Sequence, residues 1–118
     1  MEAPIIAIDF DGTIVEHRFP EIGPLKHGAD YFIKKLKQSG CRLILWTCRS
    51  GYYLDEAVEF CKGLGIEFDA INDNIPELSF RPWPKIYADI YIDDRQGLGF
   101  TDWNETYLWI VEKYKLPK

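Results

Sequence analysis

The sequence predicts a single α/β domain built on a central parallel sheet of about four strands flanked by helices. Short continuous apolar runs, of the kind buried on both faces of a sheet, recur along the chain. Stretches with apolar residues at helical spacing separate them. A length of 118 residues suffices for one sizeable core but not for a catalytic domain plus a full second one.

The first run is Pro4-Ile5-Ile6-Ala7-Ile8, which ends at Asp9-Phe10-Asp11-Gly12 and so places acids just beyond a strand's carboxyl end. Ala29, Phe32, Ile33 and Leu36 then follow the i, i+3, i+4, i+7 pattern. Gly40 stands ready to stop that helix, and Lys34, Lys35 and Lys37 form its solvated face. Arg42 to Thr47 is a second strand. Leu54, Ala57, Val58, Cys61 and Leu64 mark a second helix with Gly63 and Gly65 near its end. Ile66 to Ile71 is expected as a third, shorter strand, and Asn72 to Pro84, with three prolines, as a loop. Asp89 to Ile92 forms the fourth strand, ending at Asp93-Asp94. Asp102 with Glu105 makes a capping box before Tyr107, Ile110, Val111 and Tyr114, the last amphipathic helix.

This order implies parallel strands joined by right-handed crossovers, so that all carboxyl ends share one edge. Ligands of open parallel sheets bind outside that edge, where Asp9, Asp11, Thr47, Asp93 and Asp94 are expected to converge.

Composition narrows the function classes. Hydrophobic residues make up 47% of the chain and aromatics 15%, with both charge signs interspersed, which describes a folded domain rather than a disordered one. A formal charge of −5 gives no long-range attraction for nucleic acid or anionic membrane. Cys41, Cys48 and Cys61 have no metal-site spacing, and the N-terminus has no signal-peptide pattern, so reduced thiols in a cytoplasmic protein are expected. No apolar run is long enough to span a bilayer. His17 and His27 have no ligand-spaced partners and are expected at the surface. Trp46, Trp103 and Trp109 are expected as core or half-buried aromatics of strand and helix, and Trp83 is expected to pack under its Pro-rich loop or to line the site.

Two carboxylates two residues apart point to opposite faces of a strand unless the chain turns, and Gly12 permits that turn. So many acids at one edge repel one another unless a cation sits among them. An all-oxygen site of this kind suits Mg²⁺, with waters and a substrate phosphate completing an octahedron.

Asp9-Phe10-Asp11-Gly12-Thr13 after an apolar strand resembles the first signature of the haloacid dehalogenase superfamily, Asp-x-Asp-Gly-Thr. Thr47 at a strand end resembles the second, Lys85 the third and Ile92-Asp93-Asp94 the acidic fourth, in the right order over the whole chain. The interval from Lys85 to Asp93 is shorter than in many members, which leaves Arg81 and Arg49 as alternative sources of the third signature's charge. The resemblance implies a three-layer Rossmann-like fold and a Mg²⁺-dependent phosphatase. Asp9 would be the nucleophile and Asp11 the general acid and base. Asp9, the Asp11 carbonyl and the Asp93-Asp94 pair would hold Mg²⁺, while Thr47, Lys85 and the amides of Gly12 and Cys48 would bind phosphate oxygens.

Members of this superfamily usually carry a cap domain, but neither Val15 to Lys26 nor Asn72 to Lys85 is long enough to hold one. An open site fits a bulky phosphoester, a nucleotide, a phosphorylated nucleic-acid end, or a small substrate covered by another subunit of a homo-oligomer. Arg18, Arg49, Tyr52, Tyr53, Arg81 and Arg95 are candidates to contact the leaving group. A receiver-like phosphate sensor fits poorly, because its phosphorylated Asp follows the third strand, where this chain has Asn72. A non-catalytic interaction module needs no such acid set.

Overall fold

The computed structural model describes residues 2–76, 86–93 and 102–117. Within them the chain runs β1 (Ile5–Ile8), α1 (Ala29–Gln38), β2 (Arg42–Leu45), α2 (Gly51–Gly63), β3 (Ala70–Ile71), β4 (Ile90–Ile92) and α3 (Trp103–Tyr114). The strands form one parallel sheet in the order β3-β2-β1-β4. Ile8 pairs with both Leu45 and Ile92, so β1, β2 and β4 end level with one another.

Alternation along the strands divides the core in two. Ile6, Ile8, Leu43, Leu45 and Ile92 face a large cluster, which receives Ala29, Ile33 and Leu36 of α1, Ala57 and Cys61 of α2, and Trp103, Tyr107, Ile110 and Val111 of α3. Ala7 and Ile44 face the other way, against Ile75 and Ala88, with Ile86 and Tyr91 packed beside them. Of the three layers expected, the described residues supply a sheet with helices on one face; segments around Ile75 and Ala88 cover the other.

The helices carry the expected caps in part. Asp102 Oδ1 accepts a 2.7 Å hydrogen bond from the Glu105 amide at the start of α3. The expected third strand shrinks to Ala70–Ile71. Ile66 is buried, but its amide closes the end of α2 by donating to the Cys61 carbonyl at 2.9 Å, so its apolar character reflects packing and not ladder pairing. Trp103 is buried as expected. Trp109 is about half-buried, 54% exposed on the outer side of α3, with Lys113 Nζ 5.5 Å from the ring centroid.

Nor is the lysine face of α1 wholly solvated. Lys37 Nζ and the Leu43 amide each donate to Asp69 Oδ2 at 2.7 Å, and Arg42 Nε lies 3.2 Å from Asp69 Oδ1. Asp69 therefore ties α1, β2 and the approach to β3 together. Burial pushes its carboxyl up, but the hydrogen bonds from Lys37, the Leu43 amide and Arg42 together outweigh that and hold it below the ordinary 3.8. A lowered folded value means that the stability from Asp69 is complete above the unfolded carboxyl's range and is lost as pH falls through the folded one. Asp69→Asn is expected to lower unfolding free energy by about 1–2 kcal/mol at neutral pH. In urea titrations the gap between parent and variant should close as pH drops below about 4.

Candidate active site

The site forms where the level ends of β1, β2 and β4 meet turns that the sequence dictates. Asp9 follows β1, and its amide donates to the Ile92 carbonyl at 2.9 Å, holding it beside the residue that precedes Asp93. Gly12 takes φ 86°, the left-handed conformation expected of it, and the chain folds back so that Asp11 bridges to Val15. Thr13, Ile14 and Val15 all direct their amides to the Phe10 carbonyl. The Nε1 of buried Trp103 donates to the Thr13 carbonyl at 2.9 Å, so α3 pins this turn from behind.

The Gly12 amide, expected to meet phosphate, donates instead to the Val15 carbonyl at 2.8 Å. Gly12 serves the site through its backbone angle rather than through that N–H.

The flap from Val15 to Lys26 is a narrow double-back. The Glu16 amide donates to the Pro24 carbonyl and the Lys26 amide to the Ile14 carbonyl, both at 2.8 Å. Gly23 is required by close approach, because a Cβ there would fall 2.2 Å from the Glu16 carbonyl oxygen.

At the end of β2, Thr47 is held at both ends. Its amide donates to Asn72 Oδ1 at 2.8 Å, and its Oγ1 accepts from the Arg49 amide at 3.2 Å. The capping role of Thr47 thus coexists with a free task for the hydroxyl proton, since a hydroxyl that accepts one bond still donates another. Asn72 is the residue that sequence reasoning missed here. It sits at φ 50°, a left-handed position that Asn tolerates, and returns its own amide to the Leu45 carbonyl at 2.8 Å.

Arg49 takes a different place from the one expected. Its side chain is 1% exposed, and its Nε and one terminal nitrogen grip the two carboxylate oxygens of Asp11 at 2.8 Å each. The remaining donors reach the carbonyls of Pro20, Glu21 and Tyr53 at 3.0–3.3 Å. The guanidinium carbon lies 5.1 Å from the Phe10 ring centroid and 5.0 Å from that of Phe19. Arg49 is therefore a buried clamp between Asp11, the flap and α2, and not a free charge replacing Lys85. Lys85 itself, Arg81 and Asp94 lie outside the described residues, as do Trp83 and Arg95.

A cavity of about 390 Å³ opens over this edge, lined by Asp9, Asp11, Thr47, Cys48, Arg49 and Asp93, with His17, Phe19 and Trp46 completing its wall. Four of the expected site positions among the described residues thus share one space with Cys48. His17, expected as an ordinary surface histidine, and Trp46, expected as a core or half-buried strand aromatic, both line it. Cys48 is an exposed free thiol, whereas burial alone pushes the thiols of Cys41 and Cys61 up to about 11 and about 12.

Among the described residues, no group of three or more His, Cys, Asp or Glu side chains stands ready for a metal ion. Asp9 and Asp93 nevertheless both line the cavity, as does Asp11, whose carboxylate is held by Arg49. Carboxylates at the edge of a cavity fit Mg²⁺, which keeps waters and takes substrate oxygens in preference to a complete protein cage. They do not fit a structural zinc site.

A solved structure of a conserved protein coded by a locus of Bacteroides thetaiotaomicron matches this chain with a TM-score of 0.87. The two are 48% identical, over 95% of this chain and 93% of the other. No protein-family model matches the sequence, and no curated protein does.

Removing one partner of a buried ion pair leaves the other desolvated and alone. Arg49→Met is expected to cost about 3–5 kcal/mol of unfolding free energy, read from urea or thermal denaturation. Arg49→Lys should recover part of this loss but not all, because an ammonium cannot meet both Asp11 oxygens in a fork.

Proposed function

The chain belongs to the family of the conserved Bacteroides thetaiotaomicron protein, and for it we propose a Mg²⁺-dependent phosphomonoester hydrolase of the haloacid dehalogenase type. The observation that carries this reading is the gathering of Asp9, Asp11, Thr47 and Asp93 around one cavity at the carboxyl edge of a parallel sheet. That edge is where such sheets bind ligands, and the four side chains match the roles that phosphoryl transfer needs.

Asp9 attacks the phosphorus through a carboxylate oxygen. The new oxygen–phosphorus bond forms as the ester bond breaks, giving an aspartyl-phosphate. Asp11 delivers a proton to the departing oxygen, then takes one from the water that attacks the aspartyl-phosphate, so that inorganic phosphate leaves and both side chains are restored. The grip of Arg49 is compatible with this. Each Asp11 oxygen accepts one N–H from the guanidinium and retains lone-pair capacity for the travelling proton, while the fork fixes which way the carboxylate points. The Thr47 hydroxyl donates to a phosphoryl oxygen from the β2 side.

Mg²⁺, held by Asp9, Asp93 and the Asp11 carbonyl, would neutralise charge on the phosphoryl oxygens. Asp94 and Lys85 remain part of the proposal on the strength of their sequence positions. The flap is a short double-back and not a domain, and among the described residues it leaves the cavity open to solvent.

Phosphate release from a panel of monoesters should require Mg²⁺ and stop on chelation with EDTA. Asp9→Asn is expected to lower turnover by about a thousandfold or more while leaving the urea midpoint close to that of the parent. Undiminished turnover in Asp9→Asn would remove the nucleophile assignment. Absence of turnover on every ester would favour a non-catalytic phosphate- or Mg²⁺-binding module.

A further inference from the structure

The walls of the cavity differ from its floor. The floor is acidic and polar, but two large aromatic rings stand at its rim: Phe19, 48% exposed, and Trp46, 38% exposed. Exposed aromatics are unremarkable when scattered singly, but these two line one cavity and each is braced from behind.

The Phe19 ring lies over the Arg49 guanidinium, which in turn lies over Phe10 of the core, and Tyr53 meets it edge to face at 5.4 Å. Trp46 is held edge to face by Tyr91 at 5.2 Å. Tyr91 belongs to the packing on one face of the sheet and Phe10 to the core on the other, so the two rings flank the acids from opposite sides. A ring already fixed in place loses little conformational freedom when another ring stacks on it.

The direction of the chemistry selects between them. Asp11, the group assigned to the leaving oxygen, is gripped by the same guanidinium on which Phe19 rests. The leaving group is therefore released on the Phe19 side. Outward from Phe19 the surface continues through Tyr53 to Tyr52, whose rings meet at 5.6 Å, and Tyr52 donates its hydroxyl to Glu56 at 3.1 Å. Charge there, among the described residues, is poorly suited to a second phosphate. Among the described residues lining the cavity, Arg49 is the one permanent cation and all five of its donors are engaged. Arg18 on the flap is paired with Glu16 at 3.1 Å.

Resting on the hydrolase reading of the same site, we propose that the preferred substrate is a monophosphate ester whose leaving group carries a flat aromatic ring, stacked on Phe19, with no second phosphate. Phe19 is then a specificity residue, and Trp46 closes the opposite side. A nucleoside monophosphate and a simple aryl phosphate share this chemistry.

The test compares kcat/KM, in Mg²⁺, for adenosine 5′-monophosphate, phenyl phosphate, ribose 5-phosphate and adenosine 3′,5′-bisphosphate. The first and third differ only in the base. Adenosine 5′-monophosphate, phenyl phosphate or both should exceed ribose 5-phosphate by about tenfold, the size expected of one stacked ring. Which of the two leads tells a nucleoside from an aryl leaving group. That ratio should fall toward one in Phe19→Leu and persist in Phe19→Tyr. The ratio, unlike the rate, is insensitive to any general loss caused by disturbing Arg49. The bisphosphate should be the poorer adenosine substrate.

Equal kcat/KM with and without a ring, or a preference that survives Phe19→Leu, would overturn the proposal, and a preferred bisphosphate would overturn its single-phosphate part. If no ester is turned over, the hydrolase reading fails by itself. The ring site is then judged by calorimetric affinities for adenosine 5′-monophosphate and ribose 5-phosphate in the same variants. A preference that depends on Phe19 upholds it, and equal affinity overturns it.

Discussion

The Arg49 guanidinium uses every N–H it has inside the protein: two on Asp11, and one each on the carbonyls of Pro20, Glu21 and Tyr53. A charge so deeply buried is tolerated only when it is paired and all its donors are satisfied. Four parts of the chain must therefore be in place together, namely the turn after β1, the flap, the loop after β2 and the first turn of α2. The aromatic rings of Phe10 and Phe19 above and below it add polarisable, apolar cover where water would otherwise weaken the pair. The acid at the site is thus oriented by the same contact that seats the flap.

Around this contact the sheet supplies a level platform. Register alone brings the ends of β1, β2 and β4 together, and side-chain bonds then fix the loops beyond them: Asn72 to the Thr47 amide, Trp103 to the Thr13 carbonyl. The other conspicuous carboxylates work elsewhere. Asp89 accepts from the Ile5 amide at 2.7 Å at the opposite end of the sheet, and Asp69 joins α1 to β2. Acid content by itself would not have separated the two kinds; position relative to strand ends does.

Much of this was legible in the residues. Apolar runs placed β1, β2 and β4 to within a residue or two, and the apolar spacing placed all three helices, because burial on a sheet or along one side of a helix leaves a regular imprint. Asp9, Asp11, Thr47 and Asp93 followed from where those runs stop. What failed has physical causes. Ile66 is buried without joining a ladder, so its apolar run promised a longer β3 than exists. The Arg49–Asp11 pair spans 38 residues and leaves no periodic trace, and the flap, lacking any period, gave no hint that Phe19 would lie over it.

The central position of β1 carries a last consequence. It is hydrogen-bonded on both sides, to β2 and to β4, and its residues Ile6 to Ile8 are fully buried. Asp9 extends directly from it, so shifting its backbone means breaking the sheet, an event on the scale of global unfolding. The flap, by contrast, is no strand of the sheet: it is joined to the body through backbone bonds, the Arg49 donors to Pro20 and Glu21, and Ile22 and Leu25 packed on the core, so its cavity-facing side chains can change without disturbing the sheet. The molecule therefore divides into a part that natural variation can reshape and a part that it cannot. Changes in the flap alter what is admitted, whereas the strand beneath it ties the position of Asp9 to the survival of the fold.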